Sequence, residues 1–95
     1  MAEQAAVSRR VKVGNVMGIH ARPAAQLAHL AGRFQSDVKL RRLDRRVEAD
    51  CRSVLAMLML SATKDTELEL YASGVDAAEA VESLSGYFAR NFDED

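Results

Sequence analysis

Apolar Val11 and Val13 alternate with Arg10 and Lys12, the period of a strand with one buried face. Leu27, Leu30, Ala31 and Phe34 then recur at intervals of three and four, which predicts a helix to about Arg33. Ala24, Ala25 and Ala28 favour it. Val38 and Leu40 open a second strand and Val47 lies in a third, with a hairpin turn at Asp44-Arg45. Ser53 precedes a seven-residue apolar run, Val54 to Leu60. Only Val54 in it is β-branched and Ser53 is a good N-cap, so a short helix is preferred over a buried strand. Thr66 to Ala72 alternates, with Leu68, Leu70 and Ala72 on one face and Glu67, Glu69 and Tyr71 on the other. After a turn at Ser73-Gly74, Asp76 and Glu79 have the spacing of a capping box, and Ala77, Val81, Leu84 and Phe88 line one helical face. Asn91 to Asp95 is expected to fray. The order βαββαβα, with one apolar stripe per helix, predicts an α+β fold in which three helices cover one side of an antiparallel sheet.

At 95 residues and 48% hydrophobic content the chain fits one domain, residues 1–95, with a core of its own. A net charge of −1 gives no general attraction to nucleic acid or to anionic membrane. Cys51 is the only cysteine, which excludes an internal disulfide and suits a reducing cytoplasm. The first eight residues lack an apolar core of the signal-peptide kind, and Val54 to Leu60 is too short to span a bilayer. A cytoplasmic monomer without membrane insertion is expected. Two histidines and one cysteine without zinc-like spacing suggest neither metal nor other cofactor.

The chemistry concentrates in Gly18-Ile19-His20-Ala21-Arg22-Pro23-Ala24. Pro23 suits the first turn of a helix, where its missing N–H costs nothing, and Gly18 provides the turn before it. No Ser, Thr, Asp or Asn stands at Ile19 or Ala21 to cap that turn, so its free amides need an acceptor. Those amides, the positive end of the helix dipole and Arg22 make an anion site with an imidazole at its mouth. The same surroundings favour the neutral imidazole that a nucleophile requires. Arg22 can hold phosphate oxygens in planar geometry, so His20 is the candidate phosphoryl acceptor.

Seven consecutive apolar residues cannot all face a sheet from a two-turn helix. Val54, Leu55 and Leu58 are therefore expected to reach the surface in part and to form a docking patch. A phosphate on Ser53 would suit the helix dipole yet place charge beside that patch, the design of an off-switch.

The two segments around His20 and Arg52-Ser53-Val54-Leu55-Ala56-Met57-Leu58-Met59-Leu60 closely resemble the signatures of the HPr family, the histidine-containing phosphocarriers of the bacterial phosphoenolpyruvate:sugar phosphotransferase system. The resemblance extends over almost the whole chain, including Ala72-Ser73-Gly74. It implies an open-faced β-sandwich, a four-stranded antiparallel sheet with three helices on one side. It implies that His20 takes phosphate at Nδ1 from phosphorylated enzyme I and passes it to sugar-permease phosphoacceptor domains or their regulatory homologues, the protein being a carrier and not an enzyme. Arg22 corresponds to the phosphate-stabilising arginine, and Ala21 and Pro23 to the helix-start residues. Ser53 corresponds to the serine modified by HPr kinase/phosphorylase, and Val54, Leu55 and Leu58 to partner-binding positions. The chain departs from familiar members in two extra residues around Asp50-Cys51, in Met17 where a polar residue often caps the helix, in His29 and Gly32, and in Ala56 where glycine is common. These departures leave open a nitrogen-regulatory or other paralogue.

A rival reading is a small RNA-binding module, because Lys39, Arg41, Arg42, Arg45 and Arg46 crowd one hairpin. No aromatic residue lies in that stretch to stack on bases, so a solvated hairpin surface is the better expectation.

Overall fold

The alternation along the strands and the helical stripes resolve into a two-layer arrangement in the computed structural model, which describes residues 6–94. Strands β1 (Ala6–Lys12), β2 (Asp37–Arg42), β3 (Glu48–Asp50) and β4 (Glu67–Ser73) form one antiparallel sheet in the order β1-β4-β2-β3. Helices α1 (Ala21–Ala31), α2 (Val54–Leu58) and α3 (Ala77–Ala89) pack on one face of it.

Register explains why that face is apolar. Leu70 stands opposite Leu40, which in turn stands opposite Ala49, while Val38 and Val7 both pair with Ala72. Side chains of period two thus deliver Val11, Val38, Leu40, Ala49, Leu68 and Leu70 to the helices, all buried. The helices answer with Leu27 and Ala31 from α1, Met57 from α2, and Val81, Leu84 and Phe88 from α3. This is the open-faced sandwich, four strands under three helices. On the uncovered face Arg41 pairs with Glu69 and lies over the Tyr71 ring, and the Tyr71 hydroxyl donates to Glu48.

Several boundaries differ from the sequence pattern. Strand β1 begins by Ala6, earlier than the alternation at Arg10 suggests. Regular α1 ends at Ala31; the Arg33 and Phe34 amides reach only three residues back, to Leu30 and Ala31, so the last turn tightens. Val47 lies just before β3, its carbonyl accepting from the Arg42 amide at 3.0 Å.

Two expectations fail outright. Asp76 is the N-cap of α3 but makes no side-chain cap, so the Asp76/Glu79 capping box does not form. Its carboxylate instead accepts from the amides of Gln35 and Ser36 and from the Ser36 hydroxyl, tying the α1–β2 connection to the start of α3. Nor does the C-terminal segment fray through Glu94. Asn91, Phe92 and Asp93 form a turn with φ of 54°, 57° and 57°, which folds Phe92 back to ring-centroid distances of 5.1 Å from Tyr87 and 4.9 Å from Phe88. Phe92 is 1% exposed, and burying that ring outweighs the cost of the left-handed backbone. Asp95, the last residue of the segment expected to fray, lies outside the described residues.

Candidate functional site

The loop between β1 and α1 sets the site. Gly18 has φ +70°, and a Cβ there would lie 2.5 Å from the Ala62 carbonyl oxygen, so only glycine fits. The Ile19 amide donates to that carbonyl at 2.9 Å and the His20 amide donates to Gly18 at 3.0 Å. The loop is thereby seated on the segment that follows α2. His20 is the N-cap of α1, in extended conformation and with no side-chain cap, as the sequence indicates. Pro23 has no amide proton, and the first helical bond is from the Ala24 amide to the His20 carbonyl at 3.1 Å. The Ala21 and Arg22 amides therefore precede the hydrogen-bonded ladder.

An anion already sits at this place, and it comes from the chain itself. Glu94 Oε2 accepts from Arg22 at 2.5 Å and lies 2.7 Å from His20 Nε2. Its other oxygen accepts from Asn15 Nδ2 at 2.8 Å. The Asn15 amide foremost, then His20 and Arg22, hold the Glu94 carboxyl below the usual carboxylate range against the opposing effect of desolvation. Asn15 is fully buried and also donates to the Gly18 carbonyl at 2.9 Å. His20 and Arg22 are thus brought together on one carboxylate, with His20 partly exposed and Arg22 largely so. The Glu94 carboxylate thus sets a negative charge beside both the imidazole and the guanidinium.

Asn15 and Glu94 are the site residues that the sequence reading missed. Glu94 belongs to an acidic tail of the kind that is ordinarily solvated, and the one signal of order there is the lone large apolar residue Phe92. Asn15 carries no signal beyond its place in a loop.

Helix α2 presents the second group of predicted residues. The Ser53 hydroxyl accepts from the Ala56 amide at 3.0 Å, the N-cap expected of it. Val54 is half-buried against the core, whereas Leu55 and Leu58 are exposed. Met59, at 71%, is as exposed as Leu55, and Val16 and Met17 from the His20 loop add further apolar surface. Buried Arg42 fixes the far end of this helix: its guanidinium takes both Asp44 oxygens and donates to the Leu60 and Ser61 carbonyls.

The basic hairpin does not form an open cationic surface. Lys39 pairs with Glu48, Arg41 with Glu69 and Arg42 with Asp44, leaving Arg45 and Arg46 exposed on the turn. Among the described residues no group of three or more His, Cys, Asp or Glu side chains could hold a metal ion, and no helix is long and apolar enough to cross a membrane.

Comparison with known proteins bears on the whole chain. Residues 7–90 match the family model described as the PTS HPr component phosphorylation site. Phosphocarrier protein NPr of Proteus mirabilis is 45% identical over 87 residues, covering 92% of this chain and 96% of that protein. Phosphocarrier protein HPr of Cupriavidus necator is 36% identical over 88 residues, covering 93% and 97%. The crystal structure of phosphocarrier protein HPr from Bacillus anthracis superposes with a TM-score of 0.80 at 30% identity, covering 88% of this chain and 98% of that one.

Proposed function

Because the chain belongs to the HPr family of phosphotransferase-system phosphocarriers, and so is a carrier rather than an enzyme, we propose that His20 is its phosphoryl acceptor. The observation that carries this reading is the convergence of His20 and Arg22 on a single anion at the uncapped start of α1. A site that gathers a carboxylate with a guanidinium and an imidazole has the donors a phosphoryl group needs. In transfer, the His20 nitrogen forms a bond to phosphorus as the bond to the donor histidine of phosphorylated enzyme I breaks, its electron pair returning to the donor ring. Such an exchange asks chiefly for alignment and charge neutralisation, supplied by Arg22 and the Ala21 and Arg22 amides.

Leu55, Leu58 and Met59, with Val16 and Met17, form the surface on which partners align their own histidine, and half-buried Val54 supports it. The contact is modest in area, as a complex that must separate requires. A phosphate on Ser53 would add charge next to Leu55 and hinder docking, which gives this serine a regulatory role where the kinase is present.

The partner branch is read from the relatives. NPr is the nitrogen paralogue of the phosphotransferase system, and the NPr of Proteus mirabilis is more similar to this chain than the HPr of Cupriavidus necator. The nitrogen-regulatory branch is accordingly favoured over sugar uptake. The test is phosphorylation by phosphoenolpyruvate with either the sugar-system enzyme I or its nitrogen-branch counterpart. Faster labelling of His20 by the nitrogen-branch enzyme is expected; faster labelling by the sugar-system enzyme would return the protein to sugar uptake.

A further inference from the structure

We infer that Glu94, anchored by Asn15, is a positioning residue for His20: its carboxylate holds the ring proton on Nε2 and leaves the Nδ1 lone pair as the nucleophile. This rests on the reading of His20 as phosphoryl acceptor and identifies what selects the reacting nitrogen. An ionised carboxylate can only accept hydrogen bonds. With Asn15 donating to Oε1 and Arg22 to Oε2, Glu94 is kept ionised, so the 2.7 Å contact with His20 Nε2 requires a proton on that nitrogen. A neutral imidazole carries one N–H, and with Nε2 occupied the free pair is on Nδ1.

The anchor is built into the fold. Asn15 Nδ2 bridges the Gly18 carbonyl and Glu94 Oε1, while its Oδ1 is buried without a partner among the described residues. Turning the amide over would aim Oδ1 at two acceptors, so its orientation is fixed and one polar atom goes unsatisfied to keep it. Behind Glu94, the buried Phe92 ring sets the path of the chain.

The three donors divide the work. Asn15 cannot move, whereas Arg22, with a side chain 68% exposed, is free to leave Glu94 for an incoming phosphoryl group. The Nδ1 lone pair bonds to phosphorus, the donor's P–N bond breaks with its pair returning to the donor ring, and the Nε2 proton stays in place. The phosphorylated ring then bears a positive charge facing the Glu94 carboxylate. No proton has to change position during the exchange.

The experiment follows the His20 ring by two-bond ¹H–¹⁵N correlation in the full chain at a pH where the imidazole is neutral, in wild type and Glu94→Ala. Glu94 lies beyond the Phe92 plug, so its truncation leaves the core intact. Loss of a charge-assisted hydrogen bond should lower the ratio of Nε2–H to Nδ1–H by about tenfold. The initial rate of His20 phosphorylation by phosphorylated enzyme I should fall several-fold. Asn15→Ala, with Glu94 present but unanchored, should move both quantities the same way. An unchanged tautomer ratio, or an unchanged rate, in Glu94→Ala overturns the inference. A wild-type chain that takes no phosphate on His20 would instead overturn the acceptor reading, and the tautomer ratio needs no enzyme to be measured.

Discussion

Ser36 and Asp76, forty residues apart, are bonded in both directions: the Ser36 hydroxyl donates to Asp76 Oδ1 at 2.6 Å and accepts from the Asp76 amide at 3.2 Å. The Ser36 hydroxyl foremost, with the Gln35 and Ser36 amides, holds the Asp76 carboxyl below the usual carboxylate range. Gly74 closes the arrangement, since a Cβ there would meet Ser36 Oγ at 2.4 Å. A depressed carboxyl stabilises the fold above its unfolded-state value, and that stability is lost as pH falls through the folded-state value. Asp76→Ala should therefore lower the melting temperature by about 5 °C at pH 7. The difference from wild type should shrink as both are acidified, and thermal melts from pH 7 to pH 2 check it.

Phe92 carries the tail. Removing its ring from a site 1% exposed should cost about 3 kcal/mol or more by leaving a cavity. Because the same residue directs Glu94 to the site, Phe92→Ala should also disturb the His20 ring, whereas Phe92→Leu should keep much of the stability and of the native ring environment. Urea unfolding and the His20 ring resonances are the measurements.

Leu55 is 70% exposed, so Leu55→Asp should change stability by less than about 0.5 kcal/mol. If α2 docks partners, the same change should slow phosphoryl transfer by about tenfold or more, since a charge would be desolvated in the contact. Transfer kinetics together with a melt separate docking from folding.

Cys51 is buried, and desolvation pushes its thiol up to about 12. The native protein should resist alkylation at pH 8 and react fully once unfolded. For the same reason stability should decline as pH rises past the ordinary thiol value towards the folded-state one. Rapid labelling of the native thiol would contradict the packing.

Much of this was legible from periodicity. The β4 alternation, the α1 stripe and the Ser53 cap need only local rules, and Pro23 and Gly18 mark the start of α1 with His20 beside it. The exceptions share one cause, a partner remote in sequence. Asp76 and Glu79 have capping-box spacing, yet the Asp76 carboxylate is claimed by Ser36 and Gln35. Glu94 reads as a solvated tail, yet Asn15, His20 and Arg22 wait for it at the other end of the chain. Met59 is the last residue but one of the apolar run, and its exposure depends on where α2 ends, which the buried Arg42 decides through Leu60 and Ser61.

The most direct measurement of the central claim is to map the phosphate taken up from phosphoenolpyruvate and enzyme I in the wild type and in His20→Ala. Acid-labile, base-stable phosphate on His20, absent from the variant, is the result expected. Equal uptake by His20→Ala would contradict it.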